Sequence, residues 1–170
     1  MSAATKQSTS LKIAPDWAFL RQNPAHMLAF GFGAGLAKKA PGTWGTLVAL
    51  PIFALLQIML PNPVIFSFCI PLFALGIWVC EVTGRTLGVS DYGGIVFDEI
   101  VAMLMVLCFA PATPLGWLLA FVLFRFFDIV KPWPIRWFDQ QVKGGLGVML
   151  DDLIAAVFAI VPLLLFSAFL

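Results

Sequence analysis

Five carboxylates occur where apolar stretches in the second half of the chain begin or end: Asp98, Glu99, Asp128, Asp151 and Asp152. A helix rises about 1.5 Å per residue, so helices that end in a common plane would bring all five acids within about one turn of the same depth. A divalent cation is the simplest way to hold such a group together. An oxygen-only set without a suitably placed His or Cys favours Mg²⁺, with Mn²⁺ as the second choice, over Zn²⁺. We therefore predict that these five residues are catalytic and bind metal.

Each acid also has a simpler explanation when it is taken alone. Asp151 can cap the last helix, because Asp is favoured at a helix N-terminus. Asp128 can pair with Arg125 or Lys131, each of which lies three residues away on the same helix face. Neighbouring residues of a helix point about 100° apart, so each adjacent acid pair is expected to give one direct ligand and one supporting group. It is the convergence of all five acids that favours a metal site.

Cations and glycines near these acids are the residue types that bind phosphate. Gly-rich turns and helix N-termini expose backbone N–H groups to an oxyanion, and we expect such a loop at residues 144–147. Thr43 is expected to cap the first long helix, and its hydroxyl could instead contact a phosphate. The predicted substrate-binding residues are therefore Arg125, Lys131, Arg136, Lys143, Thr43, Gly144 and Gly145.

Several phosphatase mechanisms are excluded by residues that the chain lacks. His26 is the only histidine, so a pair of histidines cannot serve as nucleophile and acid. Four residues separate Cys80 from Arg85, so the C-x5-R loop of cysteine-dependent phosphatases is not present. Metal-assisted chemistry remains, in which the ion activates water and offsets charge on the transferred phosphoryl group. Attack by water and a covalent aspartyl-phosphate both stay open.

The elements that must position these residues are membrane helices. Of the 170 residues, 61% are hydrophobic and 11% are charged, far from the balance of a soluble domain. The net charge of +1 also argues against nucleic-acid binding. The apolar stretches predict an all-α, polytopic bundle of about five spans, at residues 44–60, 64–80, 95–110, 115–130 and 152–170. Residues 24–37 are too short to span and are expected to form an interfacial or re-entrant helix.

The charge distribution predicts an orientation and a domain division. All charged segments fall on one side of the five spans, and Lys and Arg accumulate on the cytoplasmic side. Residues 1–23 are therefore expected to be a polar cytoplasmic segment, and 24–170 to form the membrane-embedded domain. Acids within a membrane also occur in cation carriers and channels, which is the alternative function. The gathering of these acids at one face favours an enzyme, and the sequence leaves the oligomeric state open.

The motifs together resemble the phosphatidylglycerophosphatase A family of bacterial inner-membrane lipid phosphatases. The resemblance runs from about residue 24 to the C-terminus and is carried by Pro41-Gly42-Thr43 with Gly45, Asp98-Glu99, Phe124-Arg125 with Asp128, the run from Lys131 to Asp139, Gly144-Gly145 with Gly147, and Asp151-Asp152. It implies Mg²⁺-dependent hydrolysis of phosphatidylglycerophosphate to phosphatidylglycerol and inorganic phosphate. It also implies an all-helical fold and a multi-pass protein whose active site faces the cytoplasm.

Overall fold

The computed structural model describes residues 14–167, which form helices joined by short connections and include no strand. The predicted cytoplasmic segment therefore lies largely outside the described residues, as do positions 168–170 of the predicted last span. A 3₁₀ helix at Gly31–Leu36 separates the second and third α-helices. The α-helices are α1 (Trp17–Gln22), α2 (Pro24–Ala29), α3 (Pro41–Met59), α4 (Asn62–Leu87), α5 (Phe97–Leu107), α6 (Pro114–Val130), α7 (Ile135–Gln141) and α8 (Gly144–Ser167).

Three helices of the described part are long and apolar enough to cross a bilayer: Pro41–Met59, Asn62–Leu87 and Gly144–Phe166. The prediction of an all-helical membrane protein is thereby confirmed, but the count of about five spans is not. Helix α6 has 17 residues and α5 has only 11. An 11-residue helix is about 16 Å long, roughly half the thickness of a hydrocarbon core.

Helix α5 is short because it is the centre of the bundle. Nine of its 11 residues are buried, and it packs against α3, α4, α6 and α8. A helix enclosed by protein has its side chains and backbone groups satisfied by its neighbours, so it does not need to match the bilayer thickness. The first turn of α5 carries Asp98 and Glu99, and the surrounding helices therefore decide what those acids meet.

The Pro-rich stretches at residues 61–63 and 111–114, which separate predicted spans, lie where one helix gives way to the next. Helix α3 ends at Met59 and α4 begins at Asn62. The Asn62 side chain accepts a hydrogen bond from Gln57 Nε2 (2.9 Å) and donates one to the Cys108 carbonyl (2.9 Å), so it links this turn to the end of α5. At the second turn, Thr113 caps α6 by accepting from the Gly116 N–H at 3.0 Å. These caps fix the end of the bundle opposite the acids.

The predicted glycine loop at residues 144–147 is wrong, because α8 begins at Gly144. The Gly145 N–H donates to Glu81 Oε2 at 2.7 Å, and a Cβ at position 145 would collide with the Ile77 carbonyl oxygen. These glycines therefore allow the first turn of α8 to lie directly against α4. The predicted N-cap role of Asp151 is also wrong, since this residue lies in the third turn of α8.

Helix α3 also begins earlier than predicted. Its first residue is Pro41, and its N-cap is Ala40 with a left-handed φ of 48°. Proline suits the first helical position because its fixed φ is already helical and its missing N–H would be unpaired there. The expectation that Thr43 caps this helix is therefore wrong, and Thr43 instead lies in the first turn.

The segment at 24–37 is a bent pair of short helices. Helix α2 is followed by the 3₁₀ helix, within which Phe32 and Gly33 have positive φ angles of 56° and 106°. His26 stacks on Phe19 with ring centroids 4.3 Å apart, and its Nδ1 lies 3.0 Å from Thr83 Oγ1 of α4. Burial lowers the pKa of His26, so the imidazole is neutral at neutral pH. The contacts attach α1 and α2 to the bundle.

Candidate active site

Three of the predicted acids come together where α5 and α8 meet. One carboxylate oxygen from each of Asp98, Glu99 and Asp152 lies within 4.8 Å of the others. We call these three residues the acid cluster. Asp98 is 8% exposed and Asp152 is 3% exposed, so solvent does little to weaken the repulsion among their charges.

The acid cluster has buried oxygens without a hydrogen-bond partner. Among residues 14–167, no group forms a hydrogen bond with Asp98 Oδ1, Glu99 Oε2 or Asp152 Oδ2. Buried polar atoms are nearly always paired, and buried charges are paired or coordinate a metal. Three neighbouring carboxylates that each keep an unpaired buried oxygen therefore fit a hard divalent cation, for which oxygen ligands are preferred.

Asp128 lies beside the acid cluster and is held by an arginine. Its Oδ2 lies 2.5 Å from Arg125 Nη1. The sequence prediction that Arg125 can pair with Asp128 is thus confirmed. Arg125 Nη1 also lies 3.8 Å from Glu99 Oε1, while Arg125 Nε is buried without a partner. Arg125 therefore supplies positive charge to two acids at once.

Thr46 of α3 is a site residue that the sequence analysis missed. It is fully buried, donates to the Gly42 carbonyl at 2.9 Å and accepts from Arg125 Nη1 at 3.4 Å. The predicted residue of this motif, Thr43, is only half-buried. The small residues Gly42, Gly45, Thr46 and Ala49 repeat at helical spacing and form the buried face of α3, and this spacing was the signal that distinguishes the two threonines.

Gly42 lets α3 approach the acid cluster. A Cβ at this position would collide with Glu99 Oε1 and lie 3.2 Å from Arg125 Nη1. We expect Gly42→Ala to displace both side chains and to lower the rate of phosphate release at least about tenfold, because small misplacements of catalytic groups have large effects. Ser67→Ala, at an exposed position of α4, is the control and should leave the rate unchanged. Equal rates for Gly42→Ala and the wild type in a phosphate-release assay would contradict this role.

Asp151 points to a second network, away from the acid cluster. Lys131 Nζ donates to Asp151 and, at 2.8 Å, to Asp139 Oδ1. Burial alone would lower the pKa of Lys131, but the two carboxylates raise this pKa by a larger amount. The net pKa therefore lies above its ordinary value, and the ammonium stays charged. Asp139 is a second residue that the sequence analysis did not single out, although it lies in the run from Lys131 that carried the family resemblance.

The other predicted substrate-binding residues lie apart from the acid cluster. Arg136 is exposed on α7, and the exposed Lys143 donates to the Asp139 carbonyl at 3.1 Å. Gly144 and Gly145 face Glu81 of α4. The structure thus brings Arg125 to the acid cluster, places Lys131 on Asp151, and leaves these four residues around the start of α8.

The chain is similar to known proteins of one family. The family model described as phosphatidylglycerophosphatase A matches residues 27–167. A curated phosphatidylglycerophosphatase A of Haemophilus influenzae is 45% identical over 140 residues, covering 82% of this chain and 86% of the relative. The curated protein of the same name from Escherichia coli is 45% identical over 137 residues, covering 79% of this chain and 78% of the relative.

A third curated relative has a different name. A Bacteroides thetaiotaomicron protein called "Putative phosphatidylinositol-3-phosphatase" is 35% identical over 142 residues, covering 79% of this chain and 88% of the relative. No solved structure matches the chain. Since one family model covers most of the chain and two relatives of the same name share nearly half of the aligned residues, the chain belongs to the phosphatidylglycerophosphatase A family.

Proposed function

We propose that the chain hydrolyses the phosphomonoester of phosphatidylglycerophosphate, giving phosphatidylglycerol and inorganic phosphate, in an Mg²⁺-dependent reaction. The names of the two relatives at 45% identity support this substrate. The observation that carries the metal dependence is the acid cluster, with three buried oxygens that lack a hydrogen-bond partner in the described part of the chain. The enzyme would be a multi-pass protein of the bacterial inner membrane whose active site faces the cytoplasm.

Asp98, Glu99 and Asp152 would hold the Mg²⁺ ion, or Mn²⁺ in its place. Such an ion supplies an activated water and offsets negative charge on the phosphoryl group. Asp128 and Asp151 were predicted to hold the metal as well. We assign them instead to orienting Arg125 and Lys131, because each contacts one of these cations.

The two cations have hydrogen-bond donors left for the substrate. Arginine carries five N–H donors and lysine three. Arg125 Nε has no partner among the described residues, and Lys131 uses donors for Asp139 and Asp151. The remaining donors would bind phosphate oxygens, which suits a reaction that depends on positioning and on electrostatic stabilisation. Attack by water and attack by a carboxylate are both compatible with this arrangement.

The position of the acids suits a lipid substrate. The acids lie near the ends of α5, α6 and α8 that face the charged connections, so acyl chains can stay in the bilayer while the headgroup reaches the site. We propose that α5 and α6 complete five passes, with α5 short because it is enclosed. Beyond Glu99, α5 continues with apolar residues only, which argues against the alternative of a cation pathway through the bundle.

Phosphate release from lipid phosphomonoesters with and without Mg²⁺ tests the proposal. We expect the purified protein in detergent or nanodiscs to release phosphate from phosphatidylglycerophosphate, to lose this activity in EDTA, and to regain it with excess Mg²⁺. If EDTA does not reduce phosphate release, the protein is still a hydrolase but the proposed metal site is wrong. Absence of release, together with cation flux into liposomes, would instead support the carrier alternative.

A further inference from the structure

A polar cleft of about 540 Å³ lies next to the start of α3, outside the acid cluster. Its wall is built by two stretches of backbone in direct contact, since a Cβ at Gly35 would collide with the Gly94 carbonyl oxygen. The Val96 N–H also donates to the Ala29 carbonyl at 2.8 Å. The cleft is therefore formed by main chain that the fold holds in place, which reduces the ordering cost of binding.

The chemistry of the cleft is that of an anion site. Lys38 lines it, and Lys39 follows directly. Both lysines are exposed, and neither forms an ion pair within residues 14–167, whereas Arg125 and Lys131 are both engaged by carboxylates. Tyr92 adds a phenol to the lining, with its half-buried ring packed 5.9 Å from that of Phe30.

The cleft adjoins the acid cluster through one peptide unit. Pro41 lines the cleft, and the next residue, Gly42, contacts Glu99 and Arg125. Consecutive Cα atoms are about 3.8 Å apart. The lining of the cleft and a contact of the acid cluster are therefore adjacent residues at the start of α3.

We propose that this cleft binds the phosphodiester group of the substrate lipid while the phosphomonoester lies at the acid cluster, an inference that rests on the proposed function. Lys38 supplies charge-assisted hydrogen bonds to the diester oxygens, the neighbouring Lys39 adds positive charge beside the cleft, and the Tyr92 hydroxyl donates a further hydrogen bond. The lipids in the names of the curated relatives share this pair of groups, since phosphatidylglycerophosphate and phosphatidylinositol 3-phosphate each carry a phosphodiester and a phosphomonoester. Phosphatidate, which carries only the phosphomonoester, would not use the cleft.

Kinetics on two lipids test the assignment. For the Lys38→Gln/Lys39→Gln variant we expect the KM for phosphatidylglycerophosphate to rise at least about tenfold with kcat nearly unchanged, because charge-assisted hydrogen bonds of this kind are lost. The KM for phosphatidate should not change, and Tyr92→Phe should show a smaller effect in the same direction. Arg21→Gln, which removes an exposed cation from α1, is the control and should leave both KM values unchanged. Equal changes for both lipids, or none for either, would overturn the proposal.

A second measurement does not depend on turnover. Native mass spectrometry in EDTA follows how much phosphatidylglycerol, a diester without a phosphomonoester, stays bound to each variant. We expect the double lysine variant to retain several-fold less than the wild type and Arg21→Gln, with phosphatidate retention equal in all three. If the double lysine variant retains less phosphatidylglycerol but the wild type releases no phosphate, the cleft assignment holds and the proposed function is wrong. If the wild type hydrolyses phosphatidylglycerophosphate but all variants retain equal amounts of phosphatidylglycerol, the proposed function holds and the cleft assignment is wrong.

Discussion

Asp152→Asn is expected to lower kcat for phosphate release by about 10²- to 10³-fold, the size of effect seen when one preorganised electrostatic group is removed from an active site. It should also raise the thermal stability of the metal-free protein. Asp152 is 3% exposed and shares the acid cluster with Asp98 and Glu99, so the substitution removes a buried charge from a mutually repelling group. Carboxylates gathered for the proposed metal site would therefore lower the stability of the metal-free protein.

Two thermal-unfolding curves, with and without Mg²⁺, separate this effect from a general loss of structure. Mg²⁺ should raise the Tm of the wild type, because a ligand that binds only the folded state stabilises it, and should have little effect on Asp152→Asn. Asp91→Asn removes an exposed acid outside the acid cluster and is expected to behave as the wild type does. Retained turnover in Asp152→Asn, or an undiminished Mg²⁺ response, would remove Asp152 from the metal site.

Helix boundaries could be predicted from the sequence where the length of an apolar stretch and the position of its flanking prolines determine them. The Pro61–Pro63 and Pro111–Pro114 turns divide the chain as the sequence indicated. The start of α8 was not predictable, because glycines are typical of both loops and close helix contacts. The hydrogen bond from the Gly145 N–H to Glu81 decides between a loop and a helix contact. Because Glu81 lies 64 residues earlier in the chain, the sequence around Gly145 does not indicate this bond. The short length of α5 likewise depends on its enclosure by four neighbours.

The candidate site was predictable in residue type and approximate depth, but its division into two networks was not. All five predicted acids lie at the same end of the bundle, yet only three of them form the acid cluster. The helical positions of Asp151 and Asp152 differ by about 100°, so only one of the two can face α5. Asp151 faces Lys131, whose backbone takes a left-handed φ of 45°, and this conformation could not be deduced from the sequence pattern.

Arg125→Ala is expected to lower the free energy of unfolding by about 3–5 kcal/mol, because breaking a buried ion pair leaves an uncompensated charge. The side chains of Arg125 and Asp128 are 13% and 11% exposed, and their charged atoms are 2.5 Å apart. Arg85→Ala is the matched control. Its partner Glu81 is also 2.5 Å away, but the Arg85 side chain is 79% exposed, and exposed pairs contribute no more than about 1 kcal/mol.

A second substitution shows whether Arg125 only balances charge or also takes part in the reaction. Asp128→Asn in the Arg125→Ala background removes the acid that was left unpaired, so chemical denaturation should show that part of the lost stability returns. Phosphate release should stay at the low level of Arg125→Ala, since the donors proposed to bind phosphate oxygens are still missing. If turnover returned together with stability, Arg125 would serve only to neutralise Asp128 and Glu99, and phosphate binding would have to come from Lys131. A denaturation midpoint identical to that of Arg125→Ala would show instead that the charge of Asp128 is not what destabilises the single variant.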